Sequence, residues 1–181
     1  MSGLRQLENI ALVGFMGTGK SSVGRQVAAQ LHFQFVDTDE LIESRVGQTI
    51  STIFAQAGEA AFRKIEKQIV AELSQSKKTV ISTGGGLAAN DANLESLKQH
   101  ALVVCLWASP ELIWERVRSQ SHRPLLQDPD PLEKIRQLLA VREPFYKRAD
   151  VLVNTDRRPI KEVAQQVLHQ FHIARSAPPH S

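Results

Sequence analysis

Ile10-Ala-Leu-Val-Gly-Phe-Met-Gly-Thr-Gly-Lys-Ser21 decides how the rest of this sequence is read. Its first four residues are an uninterrupted apolar run, the pattern of a strand buried on both faces. Its last eight, Gly14 to Ser21, match G-x-x-x-x-G-K-[ST]. Val23, Val27, Ala28 and Leu31 then fall on one helical stripe. Strand, glycine loop and helix are the context this motif needs. Glycines let backbone N–H groups wrap phosphates at a helix N-terminus. The lysine reaches the β- and γ-phosphates, and the hydroxyl after it can ligate Mg²⁺. Gly17, Thr18, Gly19, Lys20, Ser21 and Ser22 are therefore the expected cradle for the phosphates of a nucleoside triphosphate. A tight turn carrying a chance lysine is the alternative, and the flanking strand and helix argue against it.

Working outward, β-type apolar runs alternate with helical patterns. Residues 33–36 read as a second strand ending at Asp37, and Thr79–Ser82 as a third stopped by Gly84-Gly85-Gly86. Residues 102–107 form the fourth and most apolar strand, followed by the helix start Ser109-Pro110, and residues 151–153 form a fifth. Phe62, Ile65, Ile69, Val70 and Leu73 keep helical spacing in a segment introduced by Gly58. Ile160, Val163, Ala164, Val167, Leu168 and Phe171 make the cleanest amphipathic helix. The alternation predicts an α/β fold: three layers, α/β/α, around a mainly parallel five-stranded sheet. Ligands of such sheets sit beyond the carboxyl ends of the strands, where Asp37, Gly84 and the loop after Val13 should converge. Residues 119–131 lack an apolar stripe and read as a mobile lid; residues 1–173 form one domain and 174–181 a disordered tail.

Composition bounds the function. A 181-residue chain with 42% hydrophobic and 23% charged residues is an ordinary globular domain. The longest apolar run, residues 101–108, is far short of the ~20 needed to span a membrane. The first nine residues are mostly polar, so no signal peptide is expected, and the lone Cys105 fits a reducing compartment. The expectation is a soluble cytoplasmic protein without a membrane partner. Residues 1–115 hold ten Lys/Arg and twelve Asp/Glu, a balance of −2, whereas residues 116–161 hold eleven and six, a balance of +5. That arginine-rich stretch points to an anionic ligand or a solvated surface. A modest excess with 6% aromatics argues against nucleic acid.

Asp37-Thr-Asp39 closes the second strand. Carboxylates two residues apart at a strand end project toward the same cleft. One can hold Mg²⁺ or its water and the other is left for an acceptor substrate, though Asp39 could instead cap the next helix.

The ordered set GFMGTGKS at 14–21, DTD at 37–39, IFAQAGEAAFRKIE at 53–66, GGG at 84–86, RPLL at 123–126, REPFY at 142–146 and the arginine pair at 157–158 resembles the shikimate kinase family. The resemblance covers residues 10–170. It implies a P-loop kinase fold with a lid and a monomeric enzyme acting on ATP and shikimate with Mg²⁺. It assigns Asp37 and Ser21 to the metal, and Asp39 to the substrate hydroxyls. Arg63 and Arg142 would grip the substrate carboxylate, with Gly85 touching shikimate through its backbone. Arg123 would be the lid arginine on the phosphates, catalytic together with Lys20 and Asp39. Arg158 would lie near the adenine, with Arg116 a weaker candidate for that surface. Local alternatives stand beside these roles. Arg63 could simply pair with Glu66 three residues on, or Glu66 could orient it. Glu59 could be a helix-start charge, and Arg142 and Arg158 surface charges. Gluconate-type and nucleoside-monophosphate kinases are the rival activities, and a non-catalytic nucleotide-binding protein is the rival of another class.

Overall fold

Alternation along β1 (Asn9–Val13) divides the molecule. Ile10 and Leu12 enter one apolar cluster and Ala11 and Val13 the other, as period-2 geometry requires. The split repeats in β4 (Ala101–Trp107), with Leu102, Val104 and Leu106 on one side and Val103 and Cys105 on the other. β2 (Gln34–Asp37), β3 (Thr79–Ser82) and β5 (Val151–Asn154) complete a sheet of order β2-β3-β1-β4-β5 in which every neighbouring pair is parallel. A parallel sheet must be covered on both faces, which is why β1 and β3 are buried along their whole length and β4 at every residue but Trp107. A computed structural model of the chain describes residues 7–119 and 129–176.

Helices α1 (Lys20–Leu31) and α7 (Ile160–Ser176) cover the Ile10/Leu12 face, through Val23, Val27 and Ala28 and through Val163, Ala164, Val167 and Phe171. The opposite face is covered by α2 (Thr38–Val46), α3 (Ile50–Leu73), α4 (Asp91–His100), α5 (Pro110–Val117) and α6 (Pro131–Tyr146). Their buried contributions include Ile42, Phe62, Ile69, Leu94, Leu97, Ile113, Val117, Ile135 and Tyr146. The expected three layers are thus present. Among the described residues no helix is long and apolar enough to cross a membrane.

The structure departs from the sequence reading at Gly58, in the tail, at the end of the lid and at Ile160. Gly58 does not introduce a helix. It breaks one that starts at Ile50, where the Thr49 hydroxyl accepts from Thr52 N at 3.2 Å. Its φ of 78° and ψ of 173° suit glycine, and Ile53 before it is buried, so the core holds the earlier turns in place. Ala174–Ser176, expected in a disordered tail, continue α7, because Ala174 still packs on the apolar cluster below it; residues 177–181 lie outside the described residues. The predicted lid also loses its end to a helix: Pro131 opens α6, and the Asp130 carboxylate accepts from Glu133 N at 3.1 Å. Residues 120–128 of that expected lid lie outside the described residues. Ile160, counted in the α7 stripe, is exposed at the helix's first turn.

β1 lies between β3 and β4, where the strand order reverses. The crevice at a reversal of this kind is where open α/β sheets bind ligands.

Candidate active site

The loop from β1 to α1 bends through glycine-favouring backbone at Gly14, Gly17 and Gly19, with φ of 132°, 75° and 93°. A Cβ on Gly14 would run into the Leu106 carbonyl oxygen, so glycine is required there sterically as well. Gly19 caps α1 with no side chain to offer, leaving the leading helix amides to an anion. Lys20 is 8% exposed, and its Nζ donates to Phe15 O at 2.8 Å. The Thr18 hydroxyl donates to the same oxygen at 2.8 Å, while Ser22 faces solvent.

Ser21 points across to β2. Its hydroxyl donates to Asp37 Oδ2 at 2.6 Å and lies 3.3 Å from the Ser82 hydroxyl on β3. The other Asp37 oxygen accepts from Asp39 N at 3.0 Å, so Asp37, not Asp39, caps α2. The cap therefore falls two residues earlier than the alternative placed it. Buried Thr38 accepts from Gly84 N at 2.9 Å, fixing the DTD segment to the glycine run.

The three glycines meet three different charged side chains. A Cβ on Gly84 would strike Asp39 Oδ1. One on Gly85 would sit 3.2 Å from Met16 N and 3.8 Å from Arg142 Nη1, and one on Gly86 would sit 2.8 Å from Arg63 Nη2. The run after β3 thus brings Asp39 from α2, Arg63 from α3 and Arg142 from α6 to one place, directly beside the phosphate loop.

Arg63 is heavily partnered. Nη1 donates to Glu66 Oε2 at 2.6 Å, and Nε and Nη2 donate to Glu59 Oε1 at 3.2 and 3.0 Å. The ion-pair alternative is therefore realised, with Glu59 joining it, and the guanidinium still lies against Gly86. Glu66 is 1% exposed; burial pushes its carboxyl up, against the hydrogen bond and charge of Arg63. Burial alone would lower the Arg63 guanidinium, but Glu66 and Glu59 outweigh it and hold it above its ordinary value. The charges of Asp39 and Arg142 also reach Glu66, so these four groups share one electrostatic neighbourhood. Arg142 donates to Gly85 O at 3.2 Å and stacks its guanidinium over the Phe15 ring at 5.3 Å.

On the far side of the loop, Arg116 donates to Gly17 O at 3.1 Å and to Thr155 O at 2.9 Å. Arg158 lies along α7, donating to Gln166 Oε1 at 2.7 Å. The weaker of the two nucleotide-side candidates is thus the one that touches the phosphate loop. Arg123 lies outside the described residues. Cys105 is buried, and burial pushes its thiol up to about 12, which removes it as a neutral-pH nucleophile.

A hydroxyl and a carboxylate within hydrogen-bond reach are hard oxygen donors that suit Mg²⁺. Among the described residues no three Asp, Glu, His or Cys side chains form a metal cluster. Mg²⁺ needs none, since it is held by one or two carboxylates together with phosphates. Thr38, Ser82, Phe15 and Tyr146 were not assigned from sequence. Phe15, Thr38 and Tyr146 had a signal, lying inside the quoted GFMGTGKS, DTD and REPFY segments.

A phosphate-binding loop at the switch point of a parallel α/β/α sheet defines the P-loop kinase class. A family model described as shikimate kinase matches residues 16–172. The chain is 44% identical over 165 residues to a shikimate kinase of Caldanaerobacter subterraneus, covering 91% of this chain and 96% of that one. It is 44% identical to one from Thermus thermophilus, covering 90% and 89%. The chain belongs to the shikimate kinase family. A solved structure of shikimate kinase from Acinetobacter baumannii in complex with shikimate superposes with a TM-score of 0.90 at 38% identity, covering 96% of this chain and 97% of that one. A gluconokinase from Sinorhizobium meliloti reaches 0.60 at 20% identity over 93% of this chain and 94% of that one, which is likeness of fold.

Proposed function

We propose that the protein transfers the γ-phosphoryl group of ATP to the 3-hydroxyl of shikimate, giving shikimate 3-phosphate and ADP. The observation that carries this reading is the meeting of Asp39, Arg63 and Arg142 on Gly84–Gly86 beside the phosphate loop, in a chain of this family. Planar guanidinium groups suit a carboxylate, so Arg63 and Arg142 hold that of shikimate. Gly85, lacking a side chain, lets the substrate ring approach the backbone. Asp39 accepts a hydrogen bond from the attacking hydroxyl and orients its oxygen toward phosphorus. Residues 17–22 hold the phosphates, and Lys20 leaves Phe15 O to neutralise charge on the transferring group. Ser21 and Asp37 would hold Mg²⁺, which when bound supplies further neutralisation of phosphate charge. Arg123 adds a cation to the phosphates, and Arg116 and Arg158 serve the nucleotide side. Catalysis of this kind is positioning plus electrostatics rather than covalent chemistry. The enzyme is taken to act as a monomer in the cytoplasm.

ADP release coupled to an optical readout tests this reading, with shikimate, gluconate and AMP offered separately. Shikimate alone should sustain turnover, and EDTA should abolish it until Mg²⁺ is restored. Turnover with gluconate or AMP at comparable kcat/KM, or none with shikimate, defeats the assignment.

A further inference from the structure

Tyr146 is the single tyrosine of the chain and lies in the REPFY segment without an assigned role. It is buried, its ring in the apolar cluster under α6. Its hydroxyl turns out of that cluster and donates to Gly85 O at 2.8 Å. Arg142, one helical turn earlier on the same face of α6, donates to the same oxygen at 3.2 Å. A carbonyl oxygen has two lone pairs, and these two donors occupy both. Fixing that carbonyl fixes the whole peptide plane between Gly85 and Gly86. Glycine would otherwise leave this backbone more conformational freedom than any other residue.

We infer that Tyr146 is a positioning residue: by pinning the Gly85 carbonyl it sets both the Gly85–Gly86 peptide and the Arg142 guanidinium that shares that oxygen. The inference rests on the reading of Arg142 as a carboxylate-binding residue. Arg142 has the Phe15 ring on another side, 5.3 Å from its guanidinium carbon, so its direction is set by one aromatic face and one carbonyl. The aromatic face tolerates sliding, whereas a hydrogen bond to a fixed oxygen does not. Without Tyr146 the carbonyl can rotate, and Arg142 moves with it or loses it. Burial pushes the Tyr146 hydroxyl up to about 12, so it stays protonated and a donor at any working pH. It touches no reacting atom and neither gives nor takes a proton in the reaction.

The test uses the whole enzyme and a cycle of three variants. Tyr146→Phe removes only the hydroxyl and keeps the ring that packs in the core. It should raise the KM for shikimate about three- to tenfold, the loss of one neutral hydrogen bond, and leave the KM for ATP within about twofold. Arg142→Ala should weaken shikimate more, and adding Tyr146→Phe to it should cost little further, because the two act through one oxygen. The second measurement needs no substitution. Enzyme grown with 3-fluorotyrosine carries one fluorine site, at residue 146, and its ¹⁹F resonance should shift when shikimate saturates the enzyme. An unchanged shikimate KM in Tyr146→Phe, an equal rise for both substrates, effects that multiply in the double variant, or a fluorine signal unmoved by saturating shikimate would each overturn the inference. If Arg142→Ala itself leaves shikimate binding intact, the reading of Arg142 fails first, and the cycle shows that separately.

Discussion

On the proposed reading Lys20 serves the phosphate side and Arg63 the acceptor side; both are cations with partners in hand, and the partners described above differ in kind. Lys20 bonds to the carbonyl of Phe15, a neutral acceptor within its own loop. Arg63 bonds to two carboxylates, one of them almost fully buried, and abuts a glycine from another strand end. A neutral carbonyl is easily exchanged for phosphate, since a typical net hydrogen bond is worth about 1 kcal/mol. A buried ion pair is not exchanged, because breaking it strands a charge. On the proposed reading, the acceptor side is built before its ligand arrives, and the phosphate side completes itself on binding. Preorganisation is placed where recognition must be strict, and exchange where charge is transferred.

Removing Lys20 should have the largest effect on turnover and almost none on the fold. Lys20→Ala is expected to lose on the order of 10²–10³ in kcat, the usual loss for one transition-state donor. Its denaturant midpoint should stay close to that of the parent enzyme. A Lys20→Ala protein as unstable as Arg63→Ala would break the contrast between the two sides.

Arg63→Ala should show the reverse pattern. Shikimate affinity, measured by calorimetry, should fall about ten- to a hundredfold while ATP affinity holds. Stability should fall as well, by roughly 3 kcal/mol near neutral pH, toward the low end for broken buried pairs because Arg63 is partly exposed. The pH dependence follows from Glu66. Its carboxyl is raised in the folded chain, so the folded state holds that proton more tightly than the unfolded state. Stability therefore falls as pH rises above the ordinary carboxyl range. Arg63 limits the rise, and deleting it steepens the fall. Urea melts should show a smaller deficit for Arg63→Ala at pH 5 than at pH 7.5; a deficit independent of pH would mean that Glu66 finds another partner.

The smallest effects sharpen the phosphate side. Arg116→Ala removes a tie between Gly17 O and Thr155 O and should raise the KM for ATP several-fold without touching that for shikimate. Arg158→Ala, on an exposed side chain paired with Gln166, should stay within about twofold of the parent in both. Initial-rate measurements on the two variants decide between them, and a larger effect at Arg158 would reverse the ranking drawn from their contacts.

What the sequence made legible was local. The run Ile10–Ser21 contains a strand, a loop and a helix start, and each is encoded within a few residues. Asp39, Arg63, Gly85 and Arg142 were picked out by resemblance, and the fold brings them together. Tyr146 and Thr38 were passed over because their bonds to the glycine run span 61 and 46 residues and involve neutral groups with no periodicity of their own. Gly58, a helix start on the sequence pattern, interrupts a helix instead, because buried Ile53 anchors the turns before it. The tail assignment erred by three residues because Ala174 gives a weak apolar signal that matters only once α7 is docked.

The position of β2 has a consequence for how the chain acquires its activity. Among the described residues β2 pairs only with β3, which follows it in sequence by two helices and must lie between β2 and β1 in the sheet. Asp37 therefore cannot face Ser21 across the crevice until β3 has been threaded into its slot. Such non-local parallel pairings are slow steps, because loop closure must precede the contacts that reward it. During refolding, helical signal should return well before turnover does. Regain of catalysis is thus a direct reporter of the moment at which β3 enters the sheet between β2 and β1.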